Sequence, residues 1–599
     1  MLRSAALTAA VAALAIPGTG AGATAFSPAG EPPVSPVVPG VIVERQERPG
    51  PQVVHVVRIR QDPRLSVAPR LVEGSPLSRG SLRGMVDGGA AEGIVAAVNG
   101  DFFNFTSGYP SGVLFPGQRL VSEPEPSRSA LIVTPGPALA VERLALNGQW
   151  QPFDARSGES GRVRKFQGVN RPLETGAEVV LYTPALGQAT TPSGDGSRFE
   201  IRVRRDAPGR VLPNVPFTGT VIGRRAGGGS TIGANHVVLT GSGSQGARLA
   251  SELPLGSKIS LFPAIEGLPE DAVAALGGGP VLVRDGRAVV AAGEGFSTSQ
   301  LTSRTSRTAI GQRPNGAIIL VLAEGPSQGS RGVTAGEQAQ LLQELGARTA
   351  IAMDAGGSAQ LALVDRLLPS GATRSVTDAF AVSYRGVQLP PLPARISPNG
   401  DGVDDAATTT ARAPVAGRLR LTVAKRNGGS RRQLRNRPLG PGSLATSLSP
   451  RALGLQDGIY VVRARFEPFD GSPASEQTRR VIVDRTLSHL TTRPFTRRKR
   501  PQVDTRFRLT RPARVTVRVL DAAGEPLRTL VRGKVLRAGR HRVTWNRRAK
   551  GITISGTVTI QVEARNRFGR SGLQDTLTLK RPASPLTQEL RRLFGLARG

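Results

Sequence analysis

The 599-residue sequence predicts an α+β domain, strand-rich with few helices, followed by two tandem all-β sandwiches. Three observations predict it. A single core rarely grows beyond about 250–300 residues, so the chain must divide. Short apolar runs between turn formers recur throughout, with 73 Gly, 47 Pro, 39% hydrophobic residues and 4% aromatics, a turn-rich globular composition and not a disordered one. Helical periodicity is confined to the region before residue 388 and nearly absent after it.

Residues 1–25 read as a secretory signal. Arg3 supplies an early positive charge, 5–16 is apolar, and small residues offer cleavage after Ala23 or Ala25. The run is too short to span a bilayer, which takes about 20 apolar residues, and no other transmembrane run is read. Residues 26–51, rich in Pro and Gly, read as a linker. The sequence has no Cys, which excludes disulfides, thiolate catalysis, Cys-ligated metal and a lipid anchor on cysteine. Export without disulfides fits a secreted or extracytoplasmic bacterial protein associated with the cell envelope.

Residues 52–387 read as the first domain, with strands expected at 53–60, 64–69, 94–98, 130–134, 179–183, 199–203, 237–240 and 350–353. The clearest helix is 334–345, where Ala339, Leu341, Leu342 and Leu345 repeat at near-helical spacing. Thr334 and Glu337 form a capping box at its start, and Gly346 stops it. The helix delivers the chain to an apolar run ending at Asp354.

Residues 388–394 read as a Pro-rich hinge, 395–485 and 486–582 as the two sandwiches, and 583–599 as a basic tail, either a short amphipathic helix or a frayed end. The sandwiches look related. Gly417-Arg-Leu-Arg-Leu-Thr-Val423 is echoed by Ala513-Arg-Val-Thr-Val-Arg-Val519, and Gly458-Ile-Tyr-Val-Val-Arg-Ala464 by Gly556-Thr-Val-Thr-Ile-Gln-Val562.

The net charge of +35 is unevenly placed: residues 395–599 hold 43 Lys+Arg against 14 Asp+Glu, and residues 1–394 hold 36 against 30. The excess of +29 in the C-terminal third implies attraction to an anionic polymer. For an exported protein, envelope polymers come before nucleic acid, and no basic helix or aromatic stacking pattern argues for specific nucleic-acid readout.

Three segments place polar groups beside glycine at the edge of apolar stretches. They are Val98-Asn-Gly-Asp-Phe-Phe103 with Gly108-Tyr-Pro-Ser-Gly112, Ser306-Arg-Thr-Ala-Ile-Gly311, and Met353-Asp-Ala-Gly-Gly-Ser358. An amide, carboxylates, a guanidinium and hydroxyls suit an anionic, oxygen-rich ligand. The plain alternative for Asp354 is a strand-to-turn exit. Glu324, after the expected strand 317–322, is placed toward the same cleft. Gly241-Ser-Gly-Ser-Gln-Gly246 matches a dinucleotide fingerprint but reads as a hairpin turn, because Pro254 and Gly256 interrupt any helix. The four histidines lack ligand spacing.

The motifs Asn99-Gly-Asp-Phe-Phe103, Gly278-Gly-Pro-Val-Leu-Val283, Arg307-Thr-Ala-Ile-Gly311 and Asp354-Ala-Gly-Gly-Ser358 stand in the order found in the phosphodiester glycosidase family, which residues 52–387 therefore resemble. The resemblance implies hydrolysis of a sugar 1-phosphodiester, releasing the sugar and leaving a phosphomonoester, with no cofactor required. On that basis Asp354 is the expected acid/base or nucleophile, Arg307 the phosphate ligand, and Asn99 and Ser358 orienting groups. Gly100, Ser111, Gly112, Thr308, Gly356, Gly357 and Glu324 complete the expected substrate contacts. Two departures stand out: Asp101 where the family has Gly, either a second acid/base group or a turn former, and Ala355 where it has the first Gly of its loop. The alternative is a non-catalytic surface protein in which a degenerate glycosidase-like domain and the sandwiches bind glycan.

Ser397-Pro-Asn-Gly-Asp-Gly-Val-Asp-Asp405 resembles the opening of immunoglobulin-like modules of bacterial surface proteins. Oxygen ligands at Asn399, Asp401, Asp404 and Asp405 suit Ca²⁺, the alternative being a polar interdomain turn. The segments 517–524, 527–530 and 539–545 resemble the immunoglobulin-like domain of the flagellar hook-cap protein, with Trp545-Asn-Arg in place of its Trp-Asp-Gly. This implies architecture, not flagellar function.

Overall fold

The computed structural model describes residues 23–26 and 34–580, apart from short gaps at 118, 155–158, 175, 194–195, 328, 372, 430, 498–499 and 550. The described chain is mostly β. Its α-helices are short: Leu82–Gly88, Gly243–Glu252, Thr298–Thr302 and Ala335–Glu344.

Two antiparallel sheets frame the N-terminal core. An eight-stranded sheet runs Val34–Val38, Val41–Arg48, Gln52–Ile59, Ile318–Ala323, Arg307–Gln312, Thr349–Ala352, Val281–Arg284, Arg287–Ala288. A five-stranded sheet has Ile94–Asn99 at its centre, between Leu361–Leu363 and Asp378–Tyr384. Ile94–Asn99 and Ile318–Ala323 are buried on both faces, so they read as continuous apolar runs rather than alternations. Val57, Leu320 and Ile351 of one sheet pack with Val98, Phe380 and Val382 of the other. Ala339, Leu341 and Leu342 of helix Ala335–Glu344 cover the outer face of the larger sheet. That helix starts as expected: Glu337 N donates to Thr334 Oγ1 at 3.2 Å, and Thr334 N donates to Glu337 Oε2 at 3.0 Å. A second eight-stranded sheet, from strands within 145–266, closes around its own core with Trp150, Val203 and Leu261.

Three expectations are corrected. Of the linker expected over 26–51, residues 34–51 are built into the fold: Val34–Val38 and Val41–Arg48 form a hairpin on Gln52–Ile59, with Val37, Val38, Val41 and Val43 in the core. Burial of these valines in a sheet outweighs the local Pro and Gly content. The 388–394 hinge is partly built into the first sandwich, where Leu389 is buried and its N–H donates to Gln477 Oε1. The glycines of 241–246 open helix Gly243–Glu252 instead of a hairpin. The flanking strands His236–Gly241 and Lys258–Glu266 run antiparallel through their shared neighbours, so no dinucleotide-binding βαβ unit results.

The two C-terminal sandwiches share a strand order. The first has a five-stranded sheet Arg395–Ile396, Ser475–Val483, Gly458–Pro468, Gly417–Lys425, Arg432–Leu439, facing the pair Ala407–Ala413 and Gly442–Leu448. The second has Thr24–Phe26, Gly569–Leu579, Gly556–Asn566, Ala513–Leu520, Pro526–Leu536, facing Leu487–Arg497, Arg500–Leu509, Gly539–Trp545. The echoed segments occupy matching central strands in each. The second sheet takes its edge strand from the far end of the chain, Thr24–Phe26 pairing antiparallel with Gly569–Leu579. Residues 1–22 of the expected signal and the tail 583–599 lie outside the described residues.

Candidate active site

The two N-terminal sheets meet at the end of strand Ile94–Asn99, and Asn99 ties them together. Its Nδ2 donates to Asp354 O at 2.8 Å, while its Oδ1 accepts from Thr308 Oγ1 at 2.8 Å and from Gln360 N at 3.1 Å. The backbone adds one further link between the sheets, Asp354 N to Gly100 O at 3.1 Å, while Gly100 N to Asp378 O at 3.1 Å extends the pairing within the five-stranded sheet. Asn99 and Thr308 are thus braces between sheets, their polar groups engaged with protein rather than held open for a sugar.

The brace gathers three carboxyls. Asp101, Asp354 and Asp378 are all buried. Asp378 Oδ1 accepts from Asp101 N at 2.8 Å, and Asp101 Oδ1 accepts from Phe102 N at 2.7 Å. The second oxygens of Asp101 and Asp378 are buried without a hydrogen-bond partner among the described residues. Burial pushes Asp101 up to about 7, with the charge of Asp354 adding to it and the Phe102 N–H and Arg128 opposing. Burial, then the charge of Asp101, raises Asp378 well above the ordinary carboxyl range. Asp354 is also raised by burial, against the neighbouring Ser358 hydroxyl and the charges of Arg374 and Arg128. Like charges crowded in a dry site cannot all ionise, which is how proteins keep one carboxyl as acid beside another as base. The glycines are needed for this approach: a Cβ on Gly100 would stand 2.1 Å from Asp378 Oδ1, and one on Gly277 the same distance from Asp101 Oδ2.

Asp354 opens into a cavity of about 370 Å³ lined by Phe102, Pro280, Phe296, Gln300, Arg307 and Ala355 among others. Arg307 is a buried cation that enters no ion pair among the described residues. Its Nε donates to Val333 O at 2.9 Å, and its Nη2 to Gln300 O at 2.5 Å and Ser303 O at 3.1 Å. These carbonyls fix the guanidinium and leave Nη1 with no protein acceptor among the described residues. Burial draws its pKa down, yet a guanidinium stays protonated at any working pH. On the other side, Arg128 lies 4.7 Å from the Phe102 ring centroid and 5.1 Å from that of Phe296. Arg374 Nη1 donates to Ser358 Oγ at 3.2 Å. One carboxyl, Asp354, and a cation with its Nη1 unused line the same cavity, an arrangement that can bind a phosphate ester and move a proton beside it.

Residues 218–383 match the model of the phosphodiester glycosidase family. The resemblance read from the four motifs is borne out over these residues. A curated relative, the SPbeta prophage-derived uncharacterized protein YomE of Bacillus subtilis, is 33% identical over 89 residues, 14% of each chain. The chain thus spans a small part of the length of that relative. A hypothetical protein from Synechocystis has a solved structure with TM-score 0.49 and 24% identity, covering 61% of this chain and 69% of its own. The zebrafish N-acetylglucosamine-1-phosphodiester alpha-N-acetylglucosaminidase catalytic domain, auto-inhibited by its pro-peptide, gives TM-score 0.30 and 12% identity, covering 61% of this chain and 89% of its own.

The glycosidase match contains Arg307, Asp354, Ser358 and Asp378, while Asn99, Asp101 and Arg128 precede it. The positive φ of the Asp354 loop falls on Gly356 at 65°. Ala355, at φ −102° and ψ −174°, is extended and needs no glycine. Gly357 packs under Arg374, and a Cβ on Gly112 would stand 2.7 Å from Asp101 Oδ2. Ser111 lines a separate groove of about 630 Å³ beside Arg128.

Glu324 is corrected: it does not line the cavity, and its Oε1 lies 2.7 Å from His55 Nε2. The Ca²⁺ expectation is also corrected. Asp401 accepts from Val403 N and His489 N at 3.0 and 2.7 Å, and Asp405 from Gly400 N and Gly402 N at 2.7 and 2.8 Å. Asn399 Oδ1 accepts from Asp401 N at 3.0 Å. Oxygens already turned to backbone N–H groups build a turn, and no cluster suited to a metal occurs among the described residues. Sequence reading missed Asp378, Arg128 and Arg374. For Asp378 a signal existed, an acid heading the apolar run 379–382, the mirror of Asp354 ending one.

Proposed function

We propose that the N-terminal region, an α+β catalytic unit over 52–387, hydrolyses a glycosyl phosphodiester in the Arg307–Asp354 cavity. The observation that carries the reading is Arg307: a buried guanidinium fixed by three carbonyl contacts, with Nη1 unused, in the same cavity wall as a buried carboxyl. Nη1 binds a non-bridging phosphate oxygen. Asp354 acts on the sugar side, as base toward water or as nucleophile toward C1. The C1–O bond breaks, its electron pair leaves with the phosphate, and a water oxygen ends on the sugar. Asp101, which holds a proton to about pH 7, is the internal acid that lets Asp354 carry the negative charge. Asn99 and Thr308 position Asp354 through its carbonyl.

The protein acts outside the cytoplasm, on an envelope or extracellular glycan, and its basic C-terminal third attaches it to an anionic polymer. The full chain incubated with a sugar 1-phosphodiester in ¹⁸O-water tests the chemistry. The expected result is free sugar carrying the label and an unlabelled phosphomonoester. Label in the phosphate means P–O cleavage and overturns the reading; no turnover favours a glycan-binding protein.

A further inference from the structure

The three-stranded sheet of the second sandwich carries a ladder of arginines on its outer face. In register, Arg497 stands opposite Arg500, Arg506 opposite Arg542, and Arg508 opposite Arg540. Directly opposed residues project to the same side about 4.5–5.5 Å apart, where like charges destabilise a sheet. The inward face holds Val503, Phe507 and Leu509 in the core, so the pleat fixes which side the arginines take. The same face has one acid, Asp504, which accepts from Arg506 Nε at 2.8 Å and Arg542 Nε at 2.5 Å. Arg508 and Arg540 enter no ion pair among the described residues.

The first sandwich treats its arginines differently. On its five-stranded sheet Arg463 pairs with Glu476 at 3.3 Å and Arg465 with Glu467 at 3.1 Å. Arg465 also stands opposite an arginine, Arg420, but an acid two residues along its own strand neutralises it. The second sandwich supplies no acid to Arg508 and Arg540 among the described residues, on a strand whose arginines run from Arg500 to Arg508, roughly 27 Å of chain. Folding alone gives no reason to line up like charges in this way. A repeating anion does. Among the described residues the cations on the face are arginines, whose forks match phosphate oxygens. Phe495 is the one aromatic on it among the described residues, 5.8 Å from Arg542, and no described helix projects to enter a nucleic-acid groove.

We propose that this face is the docking surface for a linear glycan or polyol chain with repeating phosphodiester groups. The proposal rests on the attachment part of the functional reading above and is independent of the hydrolytic part. The test is binding of the full chain to poly(glycerol phosphate), at low and high salt, beside polygalacturonate and single-stranded DNA. The expected result is salt-sensitive binding to poly(glycerol phosphate) in preference to the other two. Arg508→Gln with Arg540→Gln should weaken it by about tenfold or more, leave turnover of a small soluble sugar phosphodiester unchanged, and hold or raise the unfolding temperature by relieving repulsion. Arg463→Gln with Arg465→Gln, in the first sandwich, should leave affinity within about twofold. Unchanged affinity in the Arg508/Arg540 variant overturns the proposal, as does equal or tighter binding of DNA or polygalacturonate. Binding retained by a chain that proves inactive supports the surface and sinks only the enzymatic reading.

Discussion

The tripeptide Asn-Gly-Asp occurs at 99–101 and again at 399–401, and the fold treats its two aspartates in opposite ways. At 399–401 the side chains are spent on backbone of the turn and of the next sandwich: Asn399 accepts from Asp401 N and donates to Leu487 O, and both oxygens of Asp401 are taken, by Val403 N and His489 N. At 99–101 the same asparagine reaches across to another sheet, and the aspartate is buried with one oxygen unpartnered. The difference teaches that a candidate site is marked by polar capacity the fold leaves unused, not by residue type. The turn satisfies Asp401 and Asp405; the buried site leaves one oxygen each of Asp101 and Asp378 without a partner among the described residues.

The largest expected effect contrasts acids at the two places. Asp354→Asn should lower turnover of a sugar phosphodiester by roughly 10²–10⁴-fold, the usual weight of a positioned acid/base group. Asp401→Asn should leave turnover unchanged. Steady-state rates on the full-length variants check both, and an active Asp354→Asn variant would remove Asp354 from the chemistry.

Such a contrast was only partly legible in the sequence. Helix Ala335–Glu344, its capping box and the strand delivering Asp354 followed from local rules, because apolar spacing and cap chemistry act within a few residues. The related sandwiches showed as echoed strands because each buries alternate residues in the same pleat. Asp378 was missed because its role depends on Asp101, 277 residues away, which only the sheet order brings beside it. The hairpin 34–48 was misread as linker because its partner, Gln52–Ile59, supplies the burial that its composition hides. Arg128 has no motif at all; Phe102 and Phe296 place it.

The next effect concerns the unpartnered acid. Asp101 holds its proton up to about pH 7 in the fold but titrates near 3.8 when exposed, so folding takes up a proton between those values. Its contribution is therefore fully present below about pH 4 and is lost as pH rises through about 7. Asp101→Asn removes the penalty of ionising in the core and should make the site more stable above pH 7, on the order of 4 kcal/mol at most. Hydrogen exchange of strand Ile94–Asn99 across this pH range reads it. Equal protection in both proteins at pH 8 would show that ionising Asp101 in the core carries no penalty and that burial does not raise it. At Asp405, by contrast, both oxygens accept backbone N–H bonds at an exposed turn. Asp405→Ala should cost about 1 kcal/mol and leave turnover alone, and chelator should not lower the unfolding temperature. A chelator-sensitive transition would restore the Ca²⁺ reading and erase the contrast between the two loops.

The smallest effect is at Ala355, the one residue in its loop that departs from the family pattern. A glycine there would be required only if the backbone were left-handed. It is extended instead, and the left-handed turn falls one residue later, on Gly356 at φ 65°. Ala355→Gly therefore restores the family residue but gains no backbone freedom that the fold uses. The extra freedom belongs to the unfolded chain, so the variant should be less stable by about 0.4–1 kcal/mol. Its turnover should match the parent, because Asp354 is held from behind by Asn99 Nδ2 and Gly100 O, neither of which touches residue 355. A marked rise in turnover would mean that the alanine restrains the loop against substrate, and that the departure tunes the site rather than decorating it.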